Sequence, residues 1–143
     1  MESWERVFKK CAWKCVYCGA KLAEEFRLYQ SSCEDHLVPK TEKEHGLDHE
    51  ENLVAACHTC NSFKRDWVPP DCPLIVIDGN GKRYVEEDDR LKYIIEVIEH
   101  IICKAKKHLE AHRKNVPEGS RKSFQESADK YIAELEARQN FLG

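Results

Sequence analysis

The sequence is short of the features that take a chain into a membrane, across one, or onto nucleic acid by charge alone. No apolar run approaches the ~20 residues of a membrane-spanning helix. The first residues, Met1-Glu2-Ser3-Trp4-Glu5-Arg6, are polar and acidic where a secretory leader needs an apolar stretch. Both observations place the protein in the cytoplasm, with no membrane partner. An excess of one charge is missing too. Lys and Arg number 23 against 26 Asp and Glu, a net −3, so no global field draws the chain to a polyanion. Internal repeats and low-complexity segments are absent. What remains is 143 residues, 34% charged and 41% hydrophobic, enough for one compact domain or a small core with an appendage.

Cysteine, by contrast, is plentiful, with eight in all. Four fall in two CxxC pairs, Cys15/Cys18 and Cys57/Cys60. Without a secretion signal, such pairs read as metal thiolates and not as a disulfide framework. Each turn presents two sulfurs on one side of a bend, and two turns complete a tetrahedron around Zn²⁺. The set is closed, which makes it structural. The segment 19–56 between the pairs is longer than a zinc-ribbon loop, so it must form structure of its own. No thioredoxin-like βαβ pattern surrounds either pair, which argues against a redox role. Cys11, Cys33, Cys72 and Cys103 read as buried or partly buried free thiols, with Cys11 near enough to the first pair to be a spare ligand. His58, inside the second knuckle, reads as an exposed turn residue.

Along the chain, Ser3 can cap a short helix over 3–11, where Trp4, Val7, Phe8 and Cys11 recur at helical spacing. Residues 20–32 are open between helix and irregular structure. Cys33 to Val38 reads as a strand stopped by Pro39, 40–51 as a loop punctuated by Gly46, and Asn52 to Ala55 as a second strand. A helix follows over 58–66, stopped before Pro69-Pro70. Leu74 to Val85 reads as a β-hairpin turning at Gly79 and Gly81. From about Glu87 the period changes: Leu91, Ile94, Ile95, Ile98, Ile101, Ile102 and Leu109 form the stripe of an amphipathic helix. After a turn over 115–120, a last helix spans Ser123 to about Asn140. This helical hairpin either packs on the core or meets a second copy of itself. Its basic residues, Lys104, Lys106, Lys107, Arg113, Lys114, Arg121 and Lys122, are either a phosphate-contact surface or a solvated face.

Asp35-His36-Leu37-Val38-Pro39, Asn52-Leu53-Val54 and Cys57-His58-Thr59-Cys60-Asn61-Ser62-Phe63-Lys64 together resemble the HNH endonucleases, a group of ββα-metal or His-Me finger nucleases. The resemblance covers roughly residues 15–66. It implies a ββα-metal core with a structural zinc site (1–68); together with the β-hairpin connector (69–86) and the C-terminal helical extension (87–143) read from the residue pattern, which lie outside the resemblance, the fold class is α+β. The resemblance also implies a divalent-metal-dependent endonuclease acting on DNA, by nicking or double-strand cleavage. His36, whose ordinary pKa lies near neutrality, suits a general base. Asp35 and Asn61 offer hard oxygens to Mg²⁺ or Mn²⁺, with Glu34 as a substitute; a helix-capping role for Asn61 can coexist with that. Asn52 corresponds to the family's middle Asn, which orients the His. Lys64, one turn beyond Asn61, is expected to contact phosphate, with Lys40 and Arg65 beside it. His45 and His49 read as loop residues, and His100, His108 and His112 as surface residues.

Asn61 stands where many family members have His, a form well represented among active enzymes. The small core leaves sequence specificity to the C-terminal helices, to a homodimer through the Ile-rich stripe, or to a protein partner. Small proteins of this type resemble phage-encoded, mobile-element and antiviral-defence nucleases. A non-catalytic zinc module for nucleic acid or protein, and an RNase or toxin using the same chemistry, are the competing readings.

Overall fold

The computed structural model describes residues 3–39, 50–70, 75–77, 83–85 and 87–143. Lys40, His45, His49, Cys72 and the expected hairpin turn at Gly79 and Gly81 lie outside the described residues. The chain opens with helix α1 (Ser3–Lys10), which has Glu5 in its first turn and Lys9 and Lys10 in its last, each complementing the helix dipole. Val7 and Phe8 are its buried residues. Ala12 and Trp13 then take positive φ (55° and 58°), a sharp reversal in which the Trp13 N–H donates to the Phe8 carbonyl at 2.8 Å. The first cysteine turn follows, closed by Gly19 at φ 78°, whose N–H donates to the Cys15 carbonyl at 2.9 Å. Helix α2 (Phe26–Ser31) resolves the open segment; the Glu25 carboxylate caps it by accepting from the Arg27 and Leu28 N–H groups.

Strands β1 (Cys33–His36) and β2 (Leu53–Ala56) pair antiparallel, with Asp35 opposite Val54 and His36 opposite Leu53. Asn52 ends a 3-10 turn over Glu50–Asn52 and so precedes β2 instead of opening it. Helix α3 (His58–Lys64) completes a ββα unit. Its cap is Cys57, whose sulfur accepts the Cys60 N–H at 3.4 Å. Asn61 sits one turn further in, so the capping role considered for it belongs to a cysteine.

Strands β3 (Ile75–Ile77) and β4 (Arg83–Val85) form a separate antiparallel pair. Helices α4 (Arg90–His112) and α5 (Arg121–Leu142) make the hairpin expected from the periodicity. It packs on the core. Tyr93, Ile94, Val97, Ile98, Ile101, Ile102 and Ala105 of α4 are buried in one cluster with Leu37, Val54, Tyr17 and Leu135. Ile94, Ile98, Ile101 and Ile102 of the stripe that suggested self-association are therefore covered within the chain, whereas Leu91 at its start is 53% exposed. Among the described residues no helix is long and apolar enough to cross a membrane.

Candidate metal centre and cleft

The two cysteine turns converge. The sulfurs of Cys15, Cys18, Cys57 and Cys60 all lie within 4.8 Å of one another, and all four residues are buried. Cys18 and Cys57 are 3.8 Å apart, which fits a tetrahedral zinc with bonds of about 2.3 Å, whose sulfurs lie about 3.8 Å apart. The donor set and its closure fit structural zinc and leave no place for a substrate. The cluster is held from outside as well. The Val16 N–H donates to the Ala55 carbonyl at 2.9 Å, tying the first turn to β2. The Arg138 Nε donates to the Val16 carbonyl at 3.2 Å, and the Tyr131 hydroxyl lies 3.0 Å from the Cys60 sulfur. Burial is the main reason that the Tyr131 hydroxyl is held protonated, with the Cys60 sulfur adding to it. Cys11 is outside the cluster and accepts the Ala55 N–H at 3.4 Å. Burial pushes the Cys33 thiol up to about 11. Cys103 is exposed, contrary to the expectation of burial.

Glu34, Asp35 and His36 of β1 face His58, Asn61 and Ser62 of α3, and Arg65 that closes it, across a cleft of about 570 Å³. Strand alternation ought to separate Asp35 from His36. The cleft reaches both because β1 ends at His36. Asp35 is 6% exposed. Its carboxylate accepts from the Tyr17 hydroxyl and pairs with the Lys64 ammonium at 3.3 Å. Burial raises its pKa, while Lys64 and the Tyr17 hydrogen bond oppose that rise.

The loop after His36 is held at five backbone positions. The Lys64 Nζ donates to the His36 carbonyl at 2.9 Å. The Leu37 N–H donates to the Asn52 carbonyl at 2.9 Å, and the Tyr93 hydroxyl donates to the Leu37 carbonyl at 2.7 Å. The Asn52 side chain, fully buried, accepts the Val38 N–H at 2.9 Å and donates to the Val38 carbonyl at 3.1 Å.

The HNH endonuclease family model matches residues 15–66. This stretch is an HNH domain. No curated protein and no solved structure matches the chain significantly. Within the HNH domain, Asp35, His36, Asn61 and Arg65 come together in the cleft, while Asn52 lies behind it against the Leu37–Val38 backbone. Lys64 departs from the expectation of a phosphate contact. It is 1% exposed, and its ammonium is engaged by Asp35 and the His36 carbonyl. Its position explains this: Lys64 follows Cys60 by four residues and shares that residue's inward face of α3, whereas Arg65 leaves the helix at positive φ and is exposed beside Asn61 in the cleft. The same periodicity brings His58, set aside as a turn residue, into the cleft three residues before Asn61. Tyr17, inside the first knuckle, is another residue that the sequence reading passed over. Spacing gave no sign of it, since its partner Asp35 is far along the chain.

Proposed function

We propose that the HNH domain is the active part of a metal-dependent endonuclease that hydrolyses DNA phosphodiester bonds. The observation that carries this is the single cleft shared by Asp35, His36, Asn61 and Arg65, with His36 at the edge of a backbone held by five hydrogen bonds. Asp35 and Asn61 are the residues that would hold Mg²⁺ or Mn²⁺, and such an ion supplies neutralisation of phosphate charge when bound. The oxygen donors in the cleft suit a hard cation.

His36 takes a proton from water as the water oxygen bonds to phosphorus. The P–O3′ bond breaks, the electron pair leaves with the 3′ oxygen, and that oxygen collects a proton from solvent. The products carry a 5′-phosphate and a 3′-hydroxyl. Arg65 offers a forked cation to the phosphate. Asn52 positions His36 by locking the two residues that follow it. Lys64 favours the ionised form of Asp35, against the effect of burial.

The decisive measurement uses supercoiled plasmid with a Mg²⁺ and Mn²⁺ series. Wild type is expected to produce nicked or linear DNA, and His36→Ala to lose at least a hundredfold in rate. A binding module is the second reading, and one observation favours it: Asp35 is already satisfied by Lys64 and Tyr17, as in a purely structural ion pair. Equal inertness of wild type and His36→Ala, with DNA binding intact in both, would decide for that reading. A parallel RNA substrate separates DNase from RNase.

A further inference from the structure

The cleft does not end at Arg65. Ser62, Arg65 and Asp66 also form one wall of a second groove of about 660 Å³, whose other wall is α4. Lys104 and Lys107 stand on that wall, one helical turn apart and both exposed. Among the described residues neither is in an ion pair, whereas Lys106, on another face of the helix, reaches Glu136 at 4.0 Å. Between the walls, the Trp67 ring lies flat on the His100 ring, with centroids 4.2 Å apart and planes 6° apart. Asp66 is the acidic group on the rim; Lys64 also borders the groove, but its charge is engaged by Asp35. The groove therefore offers three uncommitted cations, Arg65, Lys104 and Lys107, beside the stacked Trp67 and His100 rings. The His100 ring registers that field: burial first, then Lys104, Lys107 and Lys64, depress its pKa.

Arg65 sits where the two hollows meet, and its backbone is unusual. Its φ of 47° with ψ −123° is a conformation that L residues rarely adopt. The residue closes α3 there and serves both spaces. The α4 wall runs from His100 to His108, eight residues or about 12 Å of helix.

We propose that this groove seats the phosphate backbone of the nucleic-acid strand as it leaves the catalytic cleft, with Arg65 at the junction and Lys104 and Lys107 along the exit. The direction of exit rests on the nuclease reading; the charge of the groove does not. The helical extension, which lies outside the HNH match, thereby supplies substrate-binding surface that the small domain lacks.

The test uses the zinc-loaded 143-residue protein carrying His36→Ala, so that the probe survives. Affinity for a short labelled DNA duplex, and for an RNA duplex of the same sequence, is measured by fluorescence anisotropy across a salt series. Adding Lys104→Ala and Lys107→Ala is expected to weaken binding tenfold or more at low salt. It should also make the slope of log K against log salt shallower by about 2, close to 0.9 for each lost phosphate contact. A matched Lys92→Ala/Lys130→Ala pair, on exposed positions away from the groove, should change neither. The more tightly bound probe identifies the strand type. An unchanged slope, or no binding of either probe by the parent protein, overturns the proposal. If wild type cuts plasmid while the lysine pair has no effect, the groove fails and the nuclease reading stands. If the slope falls but His36→Ala leaves plasmid cutting unaltered, the nuclease reading fails and the groove stands.

Discussion

Lys64 and Asp35 form an ion pair almost wholly removed from water, with side-chain exposures of 0% and 7%. Deleting one partner leaves the other charge buried and uncompensated, which costs about 3–5 kcal/mol. Lys64→Met should therefore destabilise the fold by that amount in urea unfolding, and a loss below about 1 kcal/mol would mean that water reaches the pair. Arg65 offers the opposite case. A positive φ strains any residue with a Cβ by roughly 1–2 kcal/mol, so Arg65→Gly should leave stability unchanged or raise it by about 1 kcal/mol. It should nevertheless lose at least tenfold in plasmid cleavage, because the forked cation goes with the side chain. At His100 the prediction concerns pH. Its folded pKa lies below the ordinary 6.5, so the folded state favours the neutral ring. The associated stability is full above pH 6.5 and is lost as pH falls from there through the folded value. A proton NMR titration of His100 should give a midpoint under 6.5 that moves upward in the Lys104→Ala/Lys107→Ala protein.

Among the elements, the segment from His36 to Val38 is short, yet five hydrogen bonds hold its backbone. Asn52 makes three of its hydrogen bonds, two through the side chain. Each buried polar group left without a partner costs about 1–3 kcal/mol. Asn52→Ala should accordingly lower stability by about 2–4 kcal/mol and reduce kcat more than substrate affinity, since Asn52 lies behind the cleft. Affinity falling in step with kcat would argue against a positioning role. The elements themselves were largely legible in the sequence. Helical spacing located α1, α4 and α5, and the strand read from Cys33 to Val38, stopped by Pro39, covers β1. The two CxxC pairs declared a closed thiolate set. The faces of α3 were harder to read, because one position on a helix is a rotation of about 100°. Choosing Lys64 as the neighbour of Asn61 instead of Arg65 exchanges an inward side chain for an outward one. Helix α2 was open because its cap is Glu25, outside the usual Ser, Thr, Asp and Asn set. Tyr17 was invisible for a different reason: its role exists only once the first cysteine turn is folded against β1.

For the molecule as a whole, the thiolate cluster is the keystone. Cys57 contributes to it and also caps α3, so loss of metal frees the start of the helix that carries Asn61 and leads into Arg65. A strong chelator should lower the melting temperature by more than 15 °C, given the roughly 10–16 kcal/mol that structural zinc contributes to small domains. Metal analysis of the purified protein should return one zinc per chain. Failure of chelation to move the melting curve would remove zinc from its structural role. The reach of α4 bears on portability. Tyr93, outside the 15–66 match, supplies the hydroxyl that fixes the Leu37 carbonyl immediately after His36. Cut free as a cartridge for fusion to some other targeting protein, residues 15–66 would carry the whole signature and yet leave behind a hinge-pin of the proposed base. The smallest transplantable unit extends at least through the first turns of α4.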